Sequence, residues 1–329
     1  MGHSHWNHHA YQSRQTNRKK TGKTAFTYDA KVRQTGRRVV HPQMNPFGKI
    51  RESRDSAAHP NSVSIAVLFD VTGSMGGIPR VLQTKLGALM RMLISKGYVE
   101  HPQILFGANG DAYCDAVPLQ VGQFESGLEM DDDLGKIFLE GGGGGQVHET
   151  YELGLYFMAR HTSLDCYEKR GKKGYLFTIG DEKPYAVVRA EQVRRLIGDQ
   201  ITEDIPTAGI IAEVREKYEY FHIMPTSSYY GKSKDVQKCW RKLLGERLLL
   251  LDDEAAVSET IALAIGLCEG TIDDLYKSAD DLTDAGYAAA ATKSATLALK
   301  PYVKQRGPVA KLVSGVVAAV GLGRDDGRL

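Results

Sequence analysis

Cysteine is scarce in this sequence, four in 329 residues, and Cys114, Cys166, Cys239 and Cys268 stand far apart with no CxxC pair. His161 lies near Cys166, but no second pair completes a structural zinc set. Long hydrophobic runs are also missing. The longest, Pro308 to Leu322, is fifteen residues and contains Lys311, short of the ~20 a bilayer requires; it reads as a packed or interfacial helix. No apolar stretch opens the chain as a secretory signal would, so the expectation is a cytoplasmic protein with free thiols and no membrane contact. Excess charge of one sign is absent as well. Forty-two Lys+Arg against 40 Asp+Glu leave a formal +2, which argues against a nucleic-acid coat or an acidic tail protein.

What is present is a foldable composition, about 48 % apolar when glycine is counted and tyrosine is not, and a charge split that the average hides. Residues 1–60 hold 12 Lys+Arg and 3 Asp+Glu, so a basic arm of +9 precedes a body of −7. From Met1 to about Lys23 aliphatic residues are nearly lacking, and disorder is expected there because little area is available to offset ordering entropy. His3, His5, His8 and His9 are read as part of a flexible polar tail whose metal affinity is incidental. Thr21-Gly22-Lys23-Thr24 matches only the end of a phosphate-binding loop, since the leading glycine would fall on Asn17 and no apolar strand precedes it. Tyr28 to Pro60 carries scattered apolar anchors and reads as an extended segment lying against a domain. Aromatic platforms for bases are sparse in this arm, so it would meet nucleic acid only non-specifically; an acidic partner, or the acidic body of a neighbouring copy, would suit it equally.

The body opens with Val63 to Phe69, a near-continuous apolar run suited to a parallel strand buried on both faces. Pro79 then starts a helix with Leu82, Leu86, Leu89, Met90 and Leu93 at helical spacing, closed by Gly97. Further strands are expected at Ile104–Ala108, Ala116–Phe124 (an edge), Tyr175–Ile179, Tyr220–Met224 and Leu248–Leu251. Helices are expected at Leu134–Leu139, Tyr151–Arg160, Ala190–Ile197, before Tyr218, at Lys234–Leu244 and at Glu254–Leu267. Such alternation predicts an α/β fold, a doubly wound, mostly parallel sheet with helices on both faces. The domains read as a basic arm over 1–60, the sheet body over 61–269, and a C-terminal helical extension over 270–329.

Ligands of such sheets bind beyond the carboxyl ends of the strands. After the first strand comes Asp70-Val71-Thr72-Gly73-Ser74-Met75-Gly76-Gly77, which sets one carboxylate and two hydroxyls on a Gly-rich turn. Hard oxygen ligands without Cys or His match Mg²⁺. A second carboxylate follows the later strand at Gly180-Asp181-Glu182.

These residues resemble the von Willebrand factor A domain, whose metal-ion-dependent adhesion site is written D-x-[ST]-x-S at the end of its first strand. Asp70-Val71-Thr72-Gly73-Ser74 fits that motif, and Asp181 fits the family's third-loop aspartate. The family's second-loop threonine is matched by Thr150, the lone threonine of Glu140-Gly-Gly-Gly-Gly-Gly145-Gln-Val-His-Glu149-Thr150, five residues past the last glycine. Either the glycine run bends it inward, or a backbone group or Glu149 serves instead. The resemblance covers about 61–269 and implies a Rossmann-like fold and binding rather than catalysis. Thr72, Ser74 and the second-loop residue would coordinate Mg²⁺ directly, with Mn²⁺ or Ca²⁺ as alternatives. Asp70 and Asp181 would act through water, and a partner's Asp or Glu would supply the last ligand. Intracellular members often work beside AAA+ ATPases or within larger assemblies.

An enzyme reading starts from the same residues. Phosphoryl-transfer enzymes of the haloacid dehalogenase type also place an Asp nucleophile after a buried strand and a downstream Gly-Asp on Mg²⁺, roles open to Asp70 and Asp181. Against it, position 71 is Val rather than Lys, position 72 is not Asp, and Gly180-Asp181 lacks the following Gly-x-x-Asp. Asp131-Asp132-Asp133 reads as a solvated acidic helix start, and Lys169-Arg170-Gly171-Lys172-Lys173 as a basic turn that serves solubility.

Overall fold

The computed structural model describes residues 2–75, 77–142 and 147–306; the side chains of Ser74 and Arg306, and the helix expected over Pro308–Leu322, lie outside that description. All nine residues of Ser62–Asp70 (β1) are buried, as an apolar run flanked on both faces requires. It lies within a six-stranded sheet with His101–Asn109 (β2), Leu119–Val121 (β3), Gly174–Ile179 (β4), Tyr218–Pro225 (β5) and Leu248–Leu251 (β6). The strand order is β6-β5-β4-β1-β2-β3, parallel throughout except for the antiparallel edge strand β3.

In chain order the helices of seven residues or more are α1 (His8–Thr21), α2 (Thr27–Thr35), α3 (Ile78–Ser95), α4 (Glu129–Gly135), α5 (Tyr151–Arg160), α6 (Ala190–Leu196), α7 (Thr207–Lys217), α8 (Lys234–Leu244), α9 (Val257–Glu269), α10 (Leu275–Asp284) and α11 (Ala289–Arg306). Alternate residues of β1 point to opposite faces and so join different cores. Ile65, Val67 and Phe69 share one with Leu82, Leu86 and Leu89 of α3 and Ile261 and Ile265 of α9. Ala66 and Leu68 share the other with Tyr156 and Phe157 of α5, Ile210 and Val214 of α7, and Trp240 of α8. Each fully buried Leu, Ile or Phe contributes about 1.5–3 kcal/mol, so the sheet is stabilised from both sides. Past Ser95, Gly97 turns the chain at φ +66°, a conformation that glycine adopts without strain. α10 and α11 cover the first core with Leu275, Leu282, Leu299 and Tyr302.

Several expectations need correction. The segment from Tyr28 to Pro60, expected to be extended, is helical at its start, over Thr27–Thr35. The helix read at Leu134–Leu139 lies earlier, at Glu129–Gly135. Beyond it the Gln120 side chain binds the Phe138 backbone on both sides, Nε2 donating to O at 2.7 Å and Oε1 accepting from N at 2.8 Å, which holds that stretch out of the helix. The unordered tail over Met1–Lys23 is instead largely the helix α1. Asn7 caps it by accepting from Ala10 N, Tyr11 is buried against α3 with its hydroxyl on Gln83 O, and Arg18 grips Asp131 at 2.7 and 2.9 Å. Arg14 adds Asp132 at 2.7 Å. The arm's charge thus meets the acidic body of its own chain, and Asp131 is a fully buried ion-pair partner rather than a solvated helix start. Farther along, Arg51–Ser53 pairs in parallel with Thr162–Leu164. The basic turn is also paired, Arg170 and Lys169 with Asp55 and Lys172 with Glu269. All four cysteines are free, and among the described residues no helix is long and apolar enough to cross a membrane.

Candidate metal centre

At the carboxyl edge of the sheet, where open α/β folds hold ligands, β1 and β4 are neighbours. Asp70 ends β1 and Asp181 follows β4 by two residues; both are fully buried. Backbone bonds tie three loops together here. Gly141 N donates to Val71 O at 3.1 Å and Gly73 N to Gly142 O at 2.7 Å, so the start of the Gly-rich loop lies against the first loop. His148–Glu149 then pairs in parallel with Lys183–Pro184. That short ladder carries Glu149 to Glu182, and Asp70, Glu149 and Glu182 each offer a carboxylate oxygen within 4.8 Å of the others.

Thr72 donates its backbone N–H and its hydroxyl to Asp70 Oδ1, at 2.7 and 2.6 Å, and the Tyr151 hydroxyl donates to Oδ2 at 3.3 Å. Asp181 Oδ2 accepts from Tyr230 N at 3.0 Å. Burial pushes the Asp70 carboxyl up to about 7, against the pull of the Thr72 bonds and with the help of Asp181. Burial, then Asp70 and Asp181, push Glu182 up to about 9. Glu149 is raised well above its usual range by burial and then by Asp70 and Glu182.

The strongest charges acting on these groups are one another's, and Glu182 Oε2 is buried with no hydrogen-bond partner among the described residues. Such a set is relieved either by protons or by a cation, and all-oxygen donors suit Mg²⁺, Mn²⁺ or Ca²⁺. The residues present therefore fit a hard divalent ion. An aromatic wall holds the set in place. Trp240 Nε1 donates to Glu182 O at 2.7 Å, and Trp240 stacks on His222 with ring centroids 3.7 Å apart. His222 is kept neutral by burial, which lowers it to about 3. A Cβ on Gly180 would stand 1.7 Å from the Tyr151 hydroxyl, so this turn admits glycine alone.

Of the five residues expected as ligands, Asp70, Thr72 and Asp181 lie at this edge, and the Ser74 side chain is outside the described residues. Thr150 is differently engaged: its hydroxyl accepts from Ala112 N at 2.7 Å and donates to Asp111 Oδ1 at 3.2 Å. Its neighbour Glu149, on the same loop, is the residue that lies with Asp70 and Glu182. Glu182 was not singled out by sequence reasoning, although its place directly after Asp181 at a strand end was the available signal.

No family model and no curated protein matches this sequence. Solved structures similar to it include a pilus adhesin, SpaC from Lactobacillus rhamnosus GG, in its open conformation, at 12 % identity and a TM-score of 0.43 over 67 % of this chain and 31 % of that one. Proximal thread matrix protein 1 from the mussel byssus aligns at 11 % identity and a TM-score of 0.41 over 62 % of this chain and 47 % of that one. The chain spans less than half the length of either.

Proposed function

We propose that the chain is a metal-ion-dependent protein-interaction module of the von Willebrand factor A type, with residues 61–269 as its body between the arm (1–60) and the helical extension (270–329). The observation that carries this reading is the meeting of Asp70, Glu149 and Glu182 next to the buried Asp181, at the carboxyl ends of adjacent parallel strands. The strand order supports a doubly wound, Rossmann-like arrangement, because the sheet grows from β1 in one direction through β2 and β3 and from β4 in the other through β5 and β6. The switch falls between β1 and β4, where ligands of such folds settle.

Asp70, Thr72, Ser74, Asp181 and Glu182 would hold Mg²⁺, or Mn²⁺ or Ca²⁺ in its stead, with Glu149 favoured over Thr150 as the second-loop ligand. Bound there, the ion would offer a coordination position to a partner's Asp or Glu. The free cysteines fit a cytoplasmic setting, and the resemblance makes an AAA+ ATPase or a larger assembly the partner class. Phosphoryl transfer from Asp70 is the weaker reading: Thr72 and Tyr151 engage both of its oxygens, which opposes nucleophilic attack.

The test is calorimetry with Mg²⁺ on the full chain, Asp70→Ala, and the pair Thr72→Ala with Ser74→Ala. Binding should vanish in the variants while circular dichroism is unchanged; equal affinity in all three would sink the reading. Phosphate release from a phosphomonoester or ATP, lost in Asp70→Asn, would install the enzyme instead.

A further inference from the structure

At the opposite edge of the sheet, the amino ends of β4, β5 and β6 and the last turns of α7 and α8 enclose a cleft of about 550 Å³. Its lining brings together Lys173, Arg215, Arg241, Lys242 and Arg247 with one carboxylate, Glu219; Arg241 is in turn paired with Glu246 at 2.6 Å, just outside the lining. Helix C-terminal carbonyls attract cations, which accounts for Arg215 at the end of α7 and for Arg241 and Lys242 at the end of α8. It does not account for what the two central guanidiniums do. Arg247 pairs with Glu219 through Nη2, while its Nη1 is buried and finds no acceptor among the described residues. Among the described residues Arg215 Nε is likewise buried without an acceptor, and Nη2 donates to Leu244 O at 3.3 Å. Burial works against the Arg215 charge, and Arg247 adds to it.

Two neighbouring like charges in one partly desolvated lining are a standing cost that an oxyanion lowers, and the planar guanidinium fork matches a phosphoryl group in two-point contact. Arg247 is held in place, seated over the Phe221 and Tyr302 rings at 4.9 and 5.5 Å. That same seating covers both rings, so they offer no stacking platform for the bases of a nucleic-acid strand. The volume is that of a small-molecule site. We infer that this cleft is a second ligand site, which binds a small phosphate-bearing anion between Arg215 and Arg247, with Lys242 at its rim. Lys242 is exposed.

Pyrophosphate is the probe, titrated calorimetrically into the full chain in EDTA at low salt. Saturable binding is expected, weakened at least about tenfold in Arg215→Gln and in Arg247→Gln, the loss of one charge-assisted pair. Lys242→Ala, at an exposed position that leaves the fold alone, should weaken it by a smaller factor. Asp70→Asn, at the other edge, should bind as the parent does. Absence of saturable heat, or unchanged affinity in Arg215→Gln and Lys242→Ala, overturns the site. Binding of a short single-stranded oligonucleotide with which pyrophosphate does not compete overturns it as well.

Discussion

Thr72 closes on Asp70 with two hydrogen bonds to a single carboxylate oxygen, the N–H at 2.7 Å and the hydroxyl at 2.6 Å. The pair fixes the turn that leaves β1. Thr72→Val keeps the branched shape and the backbone bond but removes the hydroxyl. It should cost about 1.5–3 kcal/mol in urea unfolding, the range for a hydrogen bond to a charged group, and weaken Mg²⁺ at least about tenfold by calorimetry. Unchanged affinity would mean that the hydroxyl is not a ligand.

Glu149 and Thr150 are adjacent, yet they serve different neighbours. Glu149→Gln should lower divalent-ion affinity about tenfold or more while raising the stability of the metal-free protein, because the unfolded chain no longer gains by ionising a carboxyl that burial keeps protonated in the fold. Thr150→Ala should leave affinity close to parental and cost about 1 kcal/mol, since it strands the Ala112 N–H and leaves Asp111 Oδ1 with the Tyr113 N–H. The reverse pattern would assign the ion to Thr150.

The raised carboxyls set a pH window. Asp70 at about 7 and Glu182 at about 9 keep protons in the folded, metal-free protein that the unfolded chain has already released near pH 4–5. Stability without metal therefore falls as pH rises from about 4 toward 9, and a cation that replaces those protons binds more tightly over the same range. The difference in Tm between Mg²⁺ and EDTA should be small near pH 5 and large near pH 8.5. An equal difference at both would remove the carboxylates from the site.

The arm is expected to behave as part of the body. Asp131 has no side-chain exposure and Arg18 22 %, so Arg18→Ala, which leaves Arg14 and Gln83 on that carboxylate, should cost between about 1 and 3 kcal/mol. Limited proteolysis within residues 1–23 should be slow in the parent chain and faster in the variant. Early cleavage in both would free the arm.

Where signals were local, the chain was legible. Tyr151–Arg160, Lys234–Leu244 and Leu248–Leu251 have the same bounds in sequence and structure, because helix periodicity and a bounded apolar run act within a few residues. α1 was hidden because its stabilising contacts are few and distant: Tyr11 on α3, and Arg14 and Arg18 on residues more than a hundred positions away. Composition averages over such contacts. Asp70 and Asp181 could be assigned from their places after two apolar strands. Glu182 could not, since its meeting with Glu149 depends on a two-residue ladder between separate loops.

The order of strands and helices, the mixed α/β class and the placing of Asp70 and Asp181 at strand ends follow from hydrophobic period and turn chemistry, which the chain carries wherever it lies. Which carboxylates share a buried space, and that the positive arm is matched by Asp131 of the same molecule, follow from packing, because burial and Coulomb coupling depend on distances between segments that no short stretch encodes.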